Sequence, residues 1–223
     1  MTHAPSRTHV IVLFGGESAE HDVSCVTAAH VLRALDPDKY RVTPVGITRS
    51  GAWMLATDAV AALAKGPHHI PDRLEATGEP TSITPIVAQV RSEERTVVFP
   101  LLHGPLGEDG TIQGVLELAN IPYVGTGVLG SAVSMDKGVA KQVLAANGIQ
   151  QPEFRTLRDS QVTDAALRAI ADDLGFPIFV KPANMGSSVG ITKAKDAEEL
   201  RRAVDTALTF DEWVVFEESV RGR

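Results

Sequence analysis

With 223 residues, 43% of them hydrophobic and 22% charged, the chain has the balance of a folded globular protein and the length of one large or two small domains. A net charge of −7 without any basic stripe argues against nucleic acid as a partner. The apolar run Val10 to Phe14 is too short for a signal peptide or a membrane span, and a lone cysteine, Cys25, excludes an internal disulfide and a cysteine-based zinc site. A cytoplasmic protein with no membrane partner is expected.

Val10 to Phe14 reads as a buried strand, broken by Gly15-Gly16. A helix is predicted from about Asp22 to Leu35, with Ala28, Leu32 and Leu35 on one face and Pro37 at its end. Cys25 lies within it as a small buried hydrophobe. Arg41 to Thr48 and Trp53 to Ala56 read as strands. Residues 57–95 are interrupted by Pro67, Pro71, Gly78, Pro80 and Pro85, which predicts a short helix and then a surface excursion. Thr96 to Leu102 is a strand, Thr111 to Ala119 a helix and Pro122 to Val124 a short strand.

Gly125, Gly127 and Gly130 suggest a hinge, followed by a helix over Ser134 to Ala146 that closes with Asn147-Gly148. Strands are predicted at Glu153 to Leu157, Phe176 to Val180, Gly190 to Lys193 and Trp213 to Glu218. Helices are predicted from Thr163 to Leu174 and from a capping box at Asp196 and Glu199 to about Leu208. Strand–helix alternation in the first half implies a parallel, doubly wound sheet. Strands 176–180 and 190–193 are too close for a crossover and must pair antiparallel. The expected fold is therefore an α/β domain over residues 1–125 followed by an α+β domain over residues 126–223.

Chemistry-bearing residues gather where strands end. In VLFGGESAEHDVS, Glu17 and Glu20 lie at the carboxyl edge of a parallel strand, where open sheets bind ligands. Complementing the helix N-terminus explains both carboxylates equally well. The spacing is not a dinucleotide fingerprint. In LLHGPLGEDGTIQG, His103 ends another strand, and Asp109 is suited to cap the next helix. Lys137 sits in a helix near the hinge, ordinarily a solvated position. In KPANMGSSVGI, Lys181 follows directly on an apolar run and precedes a loop of small residues, Gly186 to Gly190. Either that loop is a flexible surface turn, or its backbone is left bare to cradle an anion such as phosphate. It is not a P-loop, because the lysine precedes the glycines.

The segments GGESAEHDVS, HGPLGEDGTIQG, YVGTGVLGSAVSMDK and FVKPANMGSSVGI, in this order, resemble the successive signatures of the D-alanine–D-alanine ligases, an ATP-grasp family. The likeness spans residues 10–223, and residues 57–95 carry no motif, as a variable insertion would. It implies a Rossmann-like pre-ATP-grasp domain, then the central ATP-grasp subdomain. It also implies ATP-dependent joining of two D-alanines through an acyl phosphate, with Mg²⁺, in a cytoplasmic homodimer serving peptidoglycan synthesis. Glu20 would hold the first D-alanine's ammonium, with His103 near its carboxylate. Lys137 and Lys181 would bind ATP phosphates. Gly186, Ser187, Ser188, Val189 and Gly190 would close over them, with Ser187 hydrogen-bonded to Glu20 as a catalytic pair. Glu217 would meet the adenine, and the backbone of Glu218 and Val220 would line its pocket.

The family pattern continues past Arg223, and the resemblance places the metal-binding residues there. No metal ligand is expected within these residues: Glu108 and Asp109 read as capping, while Glu217 and Glu218 alternate across a strand and cannot share an ion. The expected entity is an incomplete fragment without turnover, missing its third domain. Two alternatives stay open. One is an ATP-grasp ligase for another D-amino acid or D-lactate, and the other an inactive nucleotide-binding fragment.

Overall fold

The computed structural model describes residues 7–85 and 95–222. These divide into two compact units, residues 1–131 and 132–223.

The first unit is built on a five-stranded sheet. Its strands are β1 (Thr8–Gly15), β2 (Tyr40–Ile47), β3 (Trp53–Leu55), β4 (Glu79–Pro80) and β5 (Thr96–Pro100), in the order β4-β3-β2-β1-β5. β1 pairs parallel with both β2 and β5. β3 and β4 pair antiparallel at one edge, so the sheet is mixed rather than wholly parallel. The cause is local. A tight turn joins β2 to β3, with the Thr48 amide donating to Ala52 O at 2.8 Å, and so short a link returns the chain antiparallel.

Successive β1 side chains enter opposite cores. Val10, Val12 and Phe14 pack with α1 (His21–Ala34), through Cys25, Ala28, Ala29 and Leu32, and with α2 (Thr57–Lys65). Ile11 and Leu13 pack with Ile112 and Leu116 of α3 (Thr111–Leu118). A sheet covered on both faces explains why β1 is almost continuously apolar. The predicted surface excursion is corrected over part of its length. Ile70, Leu74 and Ala76 are buried in the first core, where large side chains between the prolines close the end of the α1–α2 layer. Residues 86–94 of that stretch lie outside the described residues. The predicted strand at Pro122–Val124 is a single bridge to Val98, because Pro122 has no amide to extend a ladder.

β1 ends at Gly15, which has φ +86°, and a Cβ there would stand 2.3 Å from the Ile47 carbonyl oxygen. Alanine meets both the left-handed backbone and this clash. Gly15→Ala is therefore expected to cost the first unit roughly 2–4 kcal/mol of stability, read from urea unfolding. A loss within error would contradict the packing described.

A break at Asp136 divides the predicted 134–146 helix into α4 (Val128–Met135) and α5 (Lys137–Ala146). Asp136 has extended backbone angles and accepts from the Val139 amide at 2.9 Å, an N-cap. The second unit's sheet has β6 (Phe154–Arg158), β7 (Ile178–Pro182), β8 (Thr192–Ala194) and β9 (Trp213–Glu218), in the order β6-β9-β7-β8, antiparallel throughout. Helices α6 (Asp164–Leu174) and α7 (Ala197–Ala207) cover one face, burying Ile178, Val180, Val214 and Phe216. α5 lies on the other face, where a Cβ on Gly138 would touch Thr156 and Val215. β7 begins two residues later than predicted, so Lys181 lies inside the strand, paired with Val215. Pro182 still fits there as a strand end.

Candidate active site

In the first unit, the parallel strands deliver their C-terminal ends to one edge. His103 follows β5, and its backbone carbonyl accepts from Ser18 Oγ at 2.7 Å. The same Ser18 Oγ accepts from the Glu20 amide at 3.2 Å, which ties the turn after β1 to the loop after β5. His103 Nε2 meets Thr27 Oγ1 of α1 at 3.3 Å. Glu20 is only 7% exposed and occupies the α1 N-cap position, yet its side chain makes no capping bond. Its carboxylate lies instead against Gly104, where an added Cβ would stand 2.6 Å from Oε2. Only a glycine backbone lets the two segments come so close. Glu17 is likewise no helix cap: its carboxylate rests on Gly51. Glu17 and His103 both border a cavity of about 170 Å³ whose apolar wall includes Trp53, Leu102 and Ile112. The structure thus brings Glu17 and His103 to one cavity and sets Glu20 against the neighbouring Gly104.

The capping role expected of Glu108 is corrected, and that of Asp109 holds in part. The α3 N-cap is Gly110, with φ +93°. Glu108 accepts from the Gly104 amide at 2.8 Å, and Asp109 from the amides of Leu106 and Thr111 at 2.8 and 2.9 Å. Glu108 braces the 104–110 loop, while Asp109 braces it and also satisfies the first amide of α3. Burial works to raise the Asp109 carboxyl, but these amides outweigh it and hold it below its ordinary value of 3.8. A depressed folded-state value means stability that is present above pH 4 and lost as pH falls further. Asp109→Asn is expected to lower the thermal midpoint near neutrality, with the gap from the parent closing below pH 4. A gap independent of pH would contradict this.

In the second unit, Lys181 and Glu217 stand on the sheet face beneath α5. Lys181 Nζ lies 2.7 Å from Glu217 Oε2. The other oxygen, Oε1, lies 3.4 Å from Lys141 Nζ. Lys137, at the first position of α5, donates its ammonium to the carbonyls of Ala183 and Met185. Burial, and then the nearby Lys181 ammonium, hold Lys137 below the ordinary lysine value of 10.5. After β7 the chain runs through Ser187 and Ser188, at φ +45° and +59°, to Gly190 at +71°. Left-handed backbone costs a non-glycine residue about 1–2 kcal/mol, and such strain gathers at ligand sites. A Cβ on Gly190 would lie 2.7 Å from the Phe210 ring.

An open groove of about 760 Å³ in this unit is lined by the 148–154 segment, Glu218 and Val220. Lys137, Lys181 and Glu217 therefore cluster, and Glu218 and Val220 share a groove. Lys141 and the 148–154 segment were missed from sequence. Lys141 was legible as the i+4 neighbour of Lys137 on one helix face, while the groove segment carries no distinctive chemistry. Among the described residues, no three His, Cys, Asp or Glu side chains gather as a metal site would require. These residues do not by themselves fit Mg²⁺. None of the described helices is long and apolar enough to cross a membrane.

The chain thus combines an α/β unit with titratable side chains at its strand ends and an antiparallel unit with lysines beside a strained glycine loop. The family model described as the D-ala D-ala ligase N-terminus matches residues 9–126, and that of the D-ala D-ala ligase C-terminus matches residues 143–223. The chain belongs to the D-alanine–D-alanine ligase family. It is 47% identical to a D-alanine–D-alanine ligase of Deinococcus radiodurans and 43% identical to one of Bacillus cytotoxicus, in each case over 95% of this chain and 60% of the relative. It thus spans about 60% of the length of these curated relatives. Among solved structures, the D-alanine-D-alanine ligase of Coxiella burnetii matches with a TM-score of 0.83 at 35% identity, covering 97% of this chain and 65% of that one. The VanG D-Ala:D-Ser ligase of Enterococcus faecalis matches with a TM-score of 0.79 at 35% identity, covering 97% and 64%.

Proposed function

We propose that this protein takes part in ATP-dependent ligation of two D-alanines for peptidoglycan synthesis. The first unit would bind the first D-alanine and the second unit the nucleotide. The observation that carries this reading is the placement of Lys137 and Lys181 beside the strained Ser187–Ser188 loop, in a chain of this family. A phosphate oxygen reaching Lys137 competes with two neutral carbonyls for its ammonium, and the charged acceptor wins. Glu20 holds the substrate ammonium, and His103 stands by its carboxylate. Glu217, with the backbone of Glu218 and Val220, receives the adenine. Mg²⁺ would accompany ATP, and no described residue is assigned to it.

The carboxylate of the first D-alanine attacks the γ-phosphorus, and the bond to ADP breaks. The resulting acyl phosphate is attacked by the amine of the second D-alanine, phosphate leaves, and the amine's proton passes to solvent or a base. Two anions must meet in the first step, so the lysine ammoniums and loop amides lower its barrier. Water would hydrolyse the acyl phosphate, and closure of the Gly186–Gly190 loop over the phosphates limits that loss.

The likeness to a D-Ala:D-Ser ligase favours one second reading, the same chemistry with a different second substrate. Mass spectrometry of the products formed from D-alanine with D-alanine, D-serine or D-lactate decides between them. A predominant D-alanyl-D-alanine product supports the proposal. A predominant mixed product supports the second reading, and no ligation at all by the protein as its gene encodes it overturns both.

A further inference from the structure

Glu217 is nearly enclosed, its side chain 10% exposed, and it faces two ammoniums rather than one. Lys141, which is itself 12% exposed, supplies the second from α5. The Lys141 ammonium also lies 5.2 Å from the centre of the Phe154 ring, and the Lys141 carbonyl accepts from Gln151 Nε2 at 2.6 Å. The ammonium is thus held by both Glu217 and the Phe154 ring, an unusual commitment for a helical lysine whose default is a solvated tip. A carboxylate shared between two cations binds each less completely than it would bind one.

We propose that Lys141 is a positioning residue for nucleotide binding. It anchors one oxygen of Glu217 and, by sharing that charge, keeps the Lys181 ammonium available to an incoming phosphate. The inference rests on the reading of the second unit as the nucleotide site. Without Lys141, Glu217 and Lys181 close into a neutral pair, and an anion must break that pair before it can bind. ATP affinity then falls, while adenosine, which brings no phosphate, loses much less. Removing the charge of Glu217 abolishes the need for Lys141, so the two substitutions are not additive.

Calorimetry with ATP and with adenosine on the parent chain, Lys141→Met, Lys141→Arg, Glu217→Gln and the Met/Gln double variant tests this. Lys141→Met is expected to weaken ATP binding roughly tenfold. Adenosine, which meets Glu217 but brings no phosphate, should weaken much less than ATP, Lys141→Arg should retain most of the affinity, and the Met substitution should add little loss in the Glu217→Gln background. Should Lys141→Met not fold, Lys141→Gln replaces it, and the Lys141→Arg arm stands independently. Equal losses for ATP and adenosine, or full additivity with Glu217→Gln, mark Lys141 as structural and overturn the inference alone. A parent chain that binds no ATP removes the nucleotide-site reading, and the inference falls with it.

Discussion

Replacing Lys181 with alanine is expected to weaken ATP binding roughly a hundredfold, since it removes a charged hydrogen bond to phosphate. Adenosine binding should change far less. Lys181 rises from a strand interior, and its ammonium stands 2.7 Å from Glu217. It is therefore held where an isolated surface lysine would wander. In the variant, Lys141 still faces the other oxygen of Glu217, which tempers the loss of fold stability. The effect should thus appear in binding more than in unfolding. Titration calorimetry separates the cases: equal losses for ATP and adenosine, or an unfolded variant, would make Lys181 a structural residue.

The second large effect is expected at Glu20. In the protein as its gene encodes it, Glu20→Ala should lower kcat/KM for the first D-alanine roughly ten- to hundredfold, the worth of one charged hydrogen bond. Nucleotide affinity should stay nearly unchanged. Glu20 lies at the C-terminal edge of a parallel sheet, its carboxylate enclosed against Gly104 in the loop that also carries His103. Glu20→Gln keeps the shape without the charge and should fall between the two. Kinetics with D-alanine that match the parent would remove Glu20 from the substrate site.

Much of this was readable from the chain because strong local signals agree with the tertiary fold. β1 is a continuous apolar run because both faces of its sheet are covered. The pairing of β7 with β8 followed from a loop too short for a crossover. The strand ends that precede Glu20 and His103 were marked by glycines that let backbones approach, and Lys181 by the apolar run before it. What escaped depends on distant partners. Ile70 and Leu74 looked like loop residues between prolines, yet they close a core built by α1 and α2. Asp109 reads as a helix cap by position and does accept from the first amide of α3, but its second bond, from the Leu106 amide across the loop, has no local signal. Lys141 resembles any solvated helical lysine until β9 brings Glu217 beneath it. Its i+4 spacing from Lys137 marks the shared helix face, but no local pattern reports the meeting with Glu217.

The most direct test follows one oxygen atom. The protein as its gene encodes it is supplied with ATP, Mg²⁺ and D-alanine carrying ¹⁸O in both carboxylate positions. An acyl phosphate moves one carboxylate oxygen onto the phosphorus. Phosphate released during D-alanine-dependent ADP formation should therefore carry one ¹⁸O per dipeptide formed. Unlabelled phosphate, or ADP formed at the same rate without D-alanine, would contradict the account.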